Sequence, residues 1–340
     1  MKALKELTIK SQFIDLRCLN GLTTSLKKLS LSAAIGDRST MKGMHHITLI
    51  YVRSYCSNGH PLESSSALIT ILRSLGELDE LVLAVSELDG DHLFSLAACK
   101  QLSYLEFKDM KLVFSNSNRL GFSFLSSLDR LHTLKIDREC ILVGAKSLLR
   151  LPLEALAPSL RILSLPNASF SDELLDGIEH LQDLRKLKLS STAITDAILT
   201  VVARSLPRLE FLDVAGCKSL TAAAIATTLK MLPYLRVVNV SSTKADDNCL
   251  RVLEGSVELQ ELAFTNSFVT IEGLQEFAPV QKTVILFYNV HRMKSREELD
   301  SGGQDHSEPR RMQPRRRDFE LDRFDLTAQS ADSAASCNIQ

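Results

Sequence analysis

A six-residue pattern of apolar side chains recurs along this chain and constrains its fold more than any other feature. Leucine, or an apolar substitute, fills the first, fourth and sixth positions, as in Leu184, Leu187 and Leu189. The eleven copies begin at Leu4, Leu26, Met44, Leu78, Leu102, Leu131, Leu160, Leu184, Leu209, Leu235 and Leu259. The last five copies begin 24, 25, 26 and 24 residues apart. One repeat unit of such an array typically spans roughly 20 to 29 residues.

Each copy predicts a short strand that can bury its leucines only when the next copy stacks against it. Successive strands then lie parallel, and the rest of each unit returns over the opposite side of the sheet. Apolar residues three and four apart predict helices in the return segments 172–182, 196–206, 221–232 and 246–255. The sequence therefore predicts an α/β fold, a leucine-rich-repeat solenoid (horseshoe) with a parallel concave β-sheet and convex helices.

Two further positions are periodic. A capping residue precedes each predicted helix, at Ser171, Thr195, Thr221, Asp246 and Thr270. The residue three after the last strand leucine is always small, which suits a buried corner between strand and helix, and these residues are Ala168, Thr192, Cys217, Thr243 and Ser267.

The unit from Leu209 to Thr221, with Leu206-Pro207-Arg208 before it and Cys217 at its corner, resembles the cysteine-containing leucine-rich repeat. The resemblance covers residues 158–275, is weaker from 1 to 157 and is absent from the tail. This subtype is best known from F-box proteins of ubiquitin ligases. The resemblance implies a non-catalytic scaffold that recognises targets for SCF-type ubiquitin ligation. Most corners here carry Thr, Ser or Ala instead of Cys, which leaves the branch of the family open.

The pattern divides the chain into two parts. We expect residues 1–288 to form a solenoid of about 11–12 repeats and residues 289–340 to form a disordered charged tail. A solenoid end normally needs a polar cap, yet the first strand starts at Leu4. A missing N-terminal region that contacts ubiquitin-ligase subunits would fit that end. The irregular segment 53–66 is predicted to be an inserted surface loop.

Composition and motifs exclude several classes of function. A net charge of −1 gives no global bias toward nucleic acid, and the seven cysteines show no paired spacing. We therefore expect a cytoplasmic protein without a nucleic-acid partner. The cluster of His45, His46, Cys56 and His60 matches no common zinc spacing, and no phosphate-binding loop or nucleophile elbow is present. The sequence predicts no enzyme, cofactor or metal site.

The C-terminal residues Cys337-Asn338-Ile339-Gln340 fit a prenylation pattern, and five arginines lie between 310 and 317. This motif supports an alternative function, a signalling adaptor or regulator whose tail contacts a membrane through lipidated Cys337. A GTPase-activating solenoid would belong to the ribonuclease-inhibitor type of repeat, which has Asn at the corner. None of the last five units has Asn there.

A partner site is predicted on the strands, because side chains alternate and those beside the core leucines point out of the concave face. In the best repeats, this rule places an apolar centre of Ile162, Phe211 and Val237 among charged and polar residues. Such a composition is typical of a binding hot spot. The alternative is that these are ordinary strand residues. The predicted partner-binding residues are Ile162, Lys186, Lys188, Phe211, Asp213, Val237 and Asn239.

Overall fold

The structure is a computed structural model. It describes residues 6–14, 28–35, 46–52, 79–85, 87–89, 93–108, 110–114, 121–137, 140–143, 150–166, 172–278, 284–288 and 293–295. Within these ranges the strands are β1 (Glu6–Ile14), β2 (Lys28–Ile35), β3 (His46–Val52), β4 (Glu80–Val85), β5 (Glu87–Asp89), β6 (Tyr104–Phe107), β7 (Lys111–Val113), β8 (Thr133–Ile136), β9 (Ile141–Val143), β10 (Ile162–Ser164), β11 (Lys186–Lys188), β12 (Phe211–Asp213), β13 (Val237–Asn239), β14 (Glu261–Ala263) and β15 (Ile285–Phe287).

One long parallel sheet contains a strand for each copy of the pattern. Its order is β1-β2-β3-β4-β6-β8-β10-β11-β12-β13-β14-β15, so neighbouring strands come from neighbouring repeats. The middle residues Leu163, Leu187, Leu212, Val238 and Leu262 pair in one register. All five are buried. The predicted solenoid is confirmed, because each strand completes the core of the one before it.

A second, smaller sheet is absent from the sequence-based prediction. The three-residue strands β5, β7 and β9 pair in parallel, each one following a strand of the long sheet. Leu112, in the middle of β7, is fully buried. In these three repeats the chain continues in extended form after its strand of the long sheet, instead of entering a helix at once.

Helices return over the other side of the sheet. They are α1 (Leu153–Leu156), α2 (Asp196–Ser205), α3 (Ala222–Met231), α4 (Asp247–Arg251) and α5 (Ile271–Phe277). The helix predicted over 172–182 is instead two 3₁₀ turns, Asp172–Leu175 and Ile178–His180. Gly177 between them has a φ of 87°, in the left-handed region, and this conformation interrupts a right-handed helix.

The predicted helix caps are confirmed wherever the structure describes them. The side chains of Thr195, Thr221, Asp246 and Thr270 accept hydrogen bonds from amides two or three residues ahead, at 3.0 to 3.3 Å. Each bond gives a partner to a helix N-terminal amide that lacks one within the helix. Ser171 lies outside the described residues.

The small corner residues close each strand-to-helix turn with a hydrogen bond. The hydroxyls of Thr192, Thr243 and Ser267 donate to the carbonyl three residues back, at 2.6, 2.6 and 2.7 Å. Cys217 is fully buried, and its Sγ lies 3.0 Å from the Leu189 carbonyl of the preceding repeat. The Cys217 thiol thus bonds to the preceding repeat, whereas the Thr and Ser hydroxyls bond within their own repeat, so the corner position does not require cysteine in every repeat. Ala168 lies outside the described residues.

A left-handed residue precedes each of these corners. The φ angles are 60° at Ser191, 74° at Gly216, 56° at Ser242 and 55° at Asn266. Only Gly216 takes this conformation without steric cost, because the others carry a Cβ atom. The repeated turn is therefore a backbone feature that different side chains tolerate.

Carboxylates connect successive helices through a contact that we call the Asp–Thr clamp. The Asp196 carboxylate accepts from the Thr221 amide at 2.9 Å and from its hydroxyl at 2.7 Å. Asp247 holds Thr270 in the same way, with both bonds at 2.7 Å. Asp172 holds Thr195 likewise. In these three cases the first residue of one helix or 3₁₀ turn thereby fixes the cap of the next helix.

The clamp is interrupted once, between α3 and α4. The clamping position is Ala222, and the following cap is Asp246 instead of Thr. An aspartate at 222 would place two carboxylates against each other, which is unfavourable. Alanine at position 222 therefore avoids repulsion with the Asp246 carboxylate.

The C-terminal end of the described chain packs against the last repeat. After the eleventh copy of the pattern, β15 adds one more strand to the long sheet. Met293 packs against the hydrophobic core, and the Lys294 carbonyl accepts a hydrogen bond from the Ile271 amide. Both residues lie beyond the boundary predicted at 288. The loop at 53–66 and the tail from 296 onward lie outside the described residues.

Candidate functional site

Two rows of side chains flank the buried middle residues of the long sheet. The first concave row is Glu80, Tyr104, Thr133, Ile162, Lys186, Phe211, Val237, Glu261 and Ile285. The second concave row is Val82, Glu106, Lys135, Ser164, Lys188, Asp213, Asn239, Ala263 and Phe287. The register therefore brings the seven predicted partner-binding residues together on four adjacent strands, β10 to β13.

The three residues of the apolar centre predicted from the sequence differ in their exposure to solvent. Phe211 is 7% exposed and Val237 is 4% exposed, whereas Ile162 is half-buried. Lys186 Nζ lies 5.9 Å from the centre of the Phe211 ring, and Val237 pairs beside Phe211 in the row. Phe211 and Val237 are therefore packed against neighbouring side chains at the surface of the sheet. Ile162 is the apolar residue of the predicted centre that stays accessible to solvent.

Asp213 and Asn239 hold the ends of their strands. Asp213 Oδ1 accepts from the Ala215 amide at 3.0 Å, and Asn239 Oδ1 accepts from the Ser241 amide at 3.1 Å. Asp213 is buried, and Lys188 Nζ lies 3.8 Å from its Oδ2. Burial raises the pKa of the Asp213 carboxyl above its ordinary value, although attraction to Lys188 and hydrogen bonds from Ala215, Ser190 and Lys188 oppose the shift.

Asp213→Asn is expected to stabilise the protein at neutral pH. The pKa of the Asp213 carboxyl is higher in the folded protein than in the unfolded chain. The stability that this carboxyl contributes is therefore fully present below its unfolded pKa, and it is lost as pH rises through its folded pKa. Asparagine does not titrate and keeps the acceptor for the Ala215 amide, as Asn239 does in the next repeat. Melting temperatures across the acidic to neutral range should show a gain at pH 7 that shrinks toward about pH 4.

The matched control for this change is Asp129→Asn, since Asp129 is exposed. Its melting temperature should follow the wild type at every pH, because exposed single charges contribute little. A wild-type advantage over Asp213→Asn at pH 7 would contradict the expected sign.

Tyr104, Glu106 and Lys135 on the neighbouring strands, together with Lys108 just after β6, belong to the same surface and were not among the predicted site residues. The Tyr104 hydroxyl donates to Glu106 Oε2 at 2.6 Å, and Lys108 Nζ lies 3.4 Å from Glu106 Oε1. Lys135 Nζ lies 5.2 Å from the centre of the Tyr104 ring. The spacing rule that selected Lys188 also gives Lys135 two repeats earlier, so the sequence signal for it was present.

A charged groove lies beside the concave rows, where the chain enters each strand. The groove has a volume of about 360 Å³ and is lined by Arg185, Arg208, Glu210, Tyr234, Arg236 and Glu258. Glu210 pairs with Arg185 and Arg236, while Asp183 pairs with Arg161 and Arg208. These pairs join neighbouring repeats, and each exposed pair contributes little by itself. The charged residues at the groove accordingly form a network of ion pairs between repeats.

The described cysteines are buried and form no disulfide, and they are Cys99, Cys140, Cys217 and Cys249. Burial raises the pKa of Cys99 to about 11 and that of Cys249 to about 12. It also raises the pKa of Cys217. A protonated, buried thiol is a poor nucleophile and metal ligand, so Cys99, Cys217 and Cys249 act as core side chains.

Other features bearing on function are reported for the described residues alone. Within them, no group of three or more His, Cys, Asp and Glu side chains is arranged to hold a metal ion. The helices of this part of the chain are all too short or too polar to cross a bilayer. The side chains of His45, His46, Cys56 and His60, and the prenylation motif at Cys337, lie outside the described residues.

Comparisons with known proteins agree with the repeat architecture. The family described as the At1g61320/AtMIF1 LRR domain matches residues 146–253. An internalin (inlF) from Listeria monocytogenes has a similar structure, with a TM-score of 0.52 and 18% identity, covering 86% of each chain. An internalin C2 (inlC2) from the same organism has a TM-score of 0.46 and 17% identity, covering 66% of this chain and 84% of its own. The comparison with curated proteins finds no match. At these identities the inlF similarity shows the fold alone.

Proposed function

We propose that this chain, whose repeats form a leucine-rich-repeat solenoid, is a non-catalytic scaffold that binds a protein partner on its two concave rows. The observation that carries the proposal is the register of β8 to β14, which aligns apolar, polar and charged side chains in two continuous rows. Parallel rows at a fixed strand spacing can contact an extended or folded protein segment over several repeats. Lys186, Lys188 and Glu261 would set its orientation, because charges at the edge of an interface favour one register.

The finer proposal is target recognition for SCF-type ubiquitin ligation. It is supported by the resemblance of the unit around Cys217 to the repeat of F-box receptors. The buried corner contact of Cys217 with the Leu189 carbonyl is consistent with that subtype. Such a receptor would hold its target on the concave rows while other subunits transfer ubiquitin.

A membrane-tethered signalling adaptor is the alternative. Its support is the prenylation pattern at Cys337 and the arginines before it. The concave rows would serve the same recognition role in this case. The two proposals therefore differ in which other proteins and modifications accompany the chain.

Site-specific photocrosslinking in cells tests these proposals. A benzophenone amino acid at position 162 would lie among the concave rows, and the same residue at position 200 would lie on the exposed face of α2. We expect position 162 to crosslink a defined protein and position 200 not to do so. Mass spectrometry of the purified complexes would then identify the crosslinked protein and the proteins that accompany it.

The outcomes separate the proposals. A cullin with its adaptor in the complex would support the ligase receptor, whereas a prenyl group on Cys337 with membrane proteins and no cullin would support the adaptor. Equal crosslinking from positions 162 and 200, or crosslinking from position 200 alone, would overturn binding on the concave rows.

A further inference from the structure

The charged groove beside the concave rows is lined by three guanidinium groups from consecutive repeats. Arg185 lies just before β11, Arg208 before β12 and Arg236 before β13, and all three line the same volume of about 360 Å³. Backbone hydrogen bonds extend the ladder to this edge of the sheet. The Glu210 amide donates to the Arg185 carbonyl at 2.8 Å, and the Arg236 amide donates to the Glu210 carbonyl at 2.7 Å. The stacking of the repeats therefore holds the groove in register.

A partly buried carboxylate brings two of these guanidinium groups to the groove. Glu210 bonds to Arg185 through Oε1, and its Oε2 lies 3.9 Å from Arg236 Nη1. Because Glu210 itself lines the groove, both arginines contact it there. The Glu210 side chain is 18% exposed, whereas those of Arg185, Arg208 and Arg236 are 40%, 61% and 44% exposed. Around Glu210 the charged groups nearest to solvent are therefore positive.

The ion pairs of the groove leave donors of two arginines available. A guanidinium group carries five N–H donors. Among the described residues, Arg208 pairs with Asp183 alone, through Nη1, and Arg236 Nη2 lies 3.5 Å from Glu258 Oε2. Charge-assisted bonds of this kind are ordinarily about 2.7 to 2.9 Å long, so the carboxylate contacts of Arg236 are weak. Arg208 and Arg236 can therefore donate to a further anion.

Tyr234 adds a hydroxyl and an exposed ring between these two arginines. It occupies the position of Arg208 in the next repeat, because Phe211 and Val237 are in register and each lies three residues further along the chain. Tyr234 is 56% exposed and lines the groove. Tyrosine and arginine are enriched among the residues that contribute most to binding. The groove thus combines two guanidinium groups and one hydroxyl that a ligand can reach together.

We propose that the protein partner contributes a phosphorylated side chain, and that Arg208, Arg236 and Tyr234 bind its phosphate. This inference rests on the proposed scaffold function and names a chemical group of the partner. A phosphate monoester presents three strong acceptor oxygens and a charge of about −1.5 to −2 at pH 7. It can accept from three groups at once, and the arginine fork suits its geometry. Arg236 directly precedes Val237 of the first concave row, so a segment bound on the rows would reach the groove.

Fluorescence anisotropy with a labelled decapeptide tests this inference. The probe contains Ala and Gly around one central phosphoserine, and two matched peptides carry serine or glutamate at that position. We expect the phosphoserine peptide to bind roughly tenfold more tightly than the serine peptide at low salt, with a smaller gain for glutamate. This preference should decline as salt rises, because the groove is open to solvent. Inorganic phosphate should compete only at concentrations well above the Kd of the phosphoserine peptide.

Arg208→Gln and Arg236→Gln should each weaken binding of the phosphoserine peptide by roughly threefold to tenfold. Arg130→Gln is the matched control, because Arg130 occupies the same repeat position as Arg208 three repeats earlier and lies outside the groove. It should leave binding unaltered. Tyr234→Phe removes the hydroxyl while keeping the ring and every ion pair, so a roughly twofold to threefold loss of affinity with an unchanged melting temperature would separate the site from the fold.

Several results would overturn the phosphorylated partner. Equal affinity for the phosphoserine and serine peptides would do so, as would Arg208→Gln and Arg236→Gln variants that bind like Arg130→Gln. Equal affinity for the phosphoserine and glutamate peptides would assign the groove to a carboxylate. Inorganic phosphate that binds as tightly as the phosphoserine peptide would assign it to free phosphate.

The crosslinking result separates this inference from the scaffold function. If position 162 crosslinks a protein but the phosphoserine peptide shows no preference, the scaffold function stands and the phosphate is rejected. If crosslinking also fails, both are rejected. A crosslinked protein that carries phosphate, and that Arg208→Gln releases but Arg130→Gln retains, would support both.

Discussion

Phe211→Ala is expected to lower the free energy of unfolding by about 3 kcal/mol, although the residue lies on the face proposed to bind a partner. Phe211 is 7% exposed, so the change removes a nearly buried ring and leaves a cavity between Lys186 and Val237. Buried Phe→Ala substitutions typically cost about 3 to 5 kcal/mol, and the position of Phe211 at the sheet surface favours the lower end. Urea unfolding followed by far-UV circular dichroism would measure it, because the chain contains no tryptophan.

Phe268→Ala is the matched control for this prediction. Phe268 is 53% exposed, so the same truncation should cost less than about 1 kcal/mol. A cost for Phe211→Ala that falls within the error of Phe268→Ala would show that the ring is not a structural part of the sheet. If the larger cost is observed, a loss of partner binding in a Phe211 variant must be corrected for the unfolded fraction.

Thr221→Ala is expected to lower the free energy of unfolding by about 2 kcal/mol. The substitution removes a helix cap, worth about 1 kcal/mol, because Thr221 Oγ1 accepts from the Ala224 amide at 3.2 Å. It also removes the hydroxyl bond to Asp196 within the Asp–Thr clamp, and a bond to a charged group contributes roughly 1.5 kcal/mol, less where it is exposed. The same urea unfolding experiment measures the sum.

Thr200→Ala provides the control with the opposite sign. Thr200 is exposed within α2, and its hydroxyl bonds only to the Asp196 carbonyl one turn back. Alanine is the better helix former, so this variant should be unchanged or slightly more stable.

An Asp196→Ala, Thr221→Ala double variant would isolate the clamp. Its loss of unfolding free energy should be smaller than the sum of the losses in the two single variants. Full additivity would mean that the clamp contributes nothing to stability.

The clamp and the corner turn show how a chain with an uneven repeat keeps a regular stack. Units of 24 to 26 residues differ in helix length, yet the φ angles of Ser191, Gly216, Ser242 and Asn266 are nearly the same. The hydrogen bonds that fix these turns involve backbone carbonyls that every repeat possesses. Substitution of Cys by Thr or Ser at the corner therefore preserves the stack.

The sequence determined the features that depend on spacing within one repeat. Apolar positions one, four and six gave the strands and their register, the Thr and Asp positions gave the helix caps, and the small residues gave the corners. Each of these follows from contacts that every unit makes with an equivalent neighbour, so local pattern suffices to find them. The seven concave residues were also brought together as expected, because register fixes which residues are adjacent.

Only the tertiary structure decided which of these residues are accessible and which are committed to the fold. Phe211 and Val237 occupy outward positions but are buried, while Lys135 joins the surface from a repeat outside the predicted set. The exposure of such residues depends on the side chains of adjacent repeats, which are 24 to 26 residues away where the spacing is most regular, in the second half of the chain. The second sheet and the Asp–Thr clamp depend on the same contacts between repeats, whereas the interruption at Gly177 follows from its left-handed backbone conformation. A one-dimensional pattern assigns a residue to a face, and packing against its neighbours determines what that residue does there.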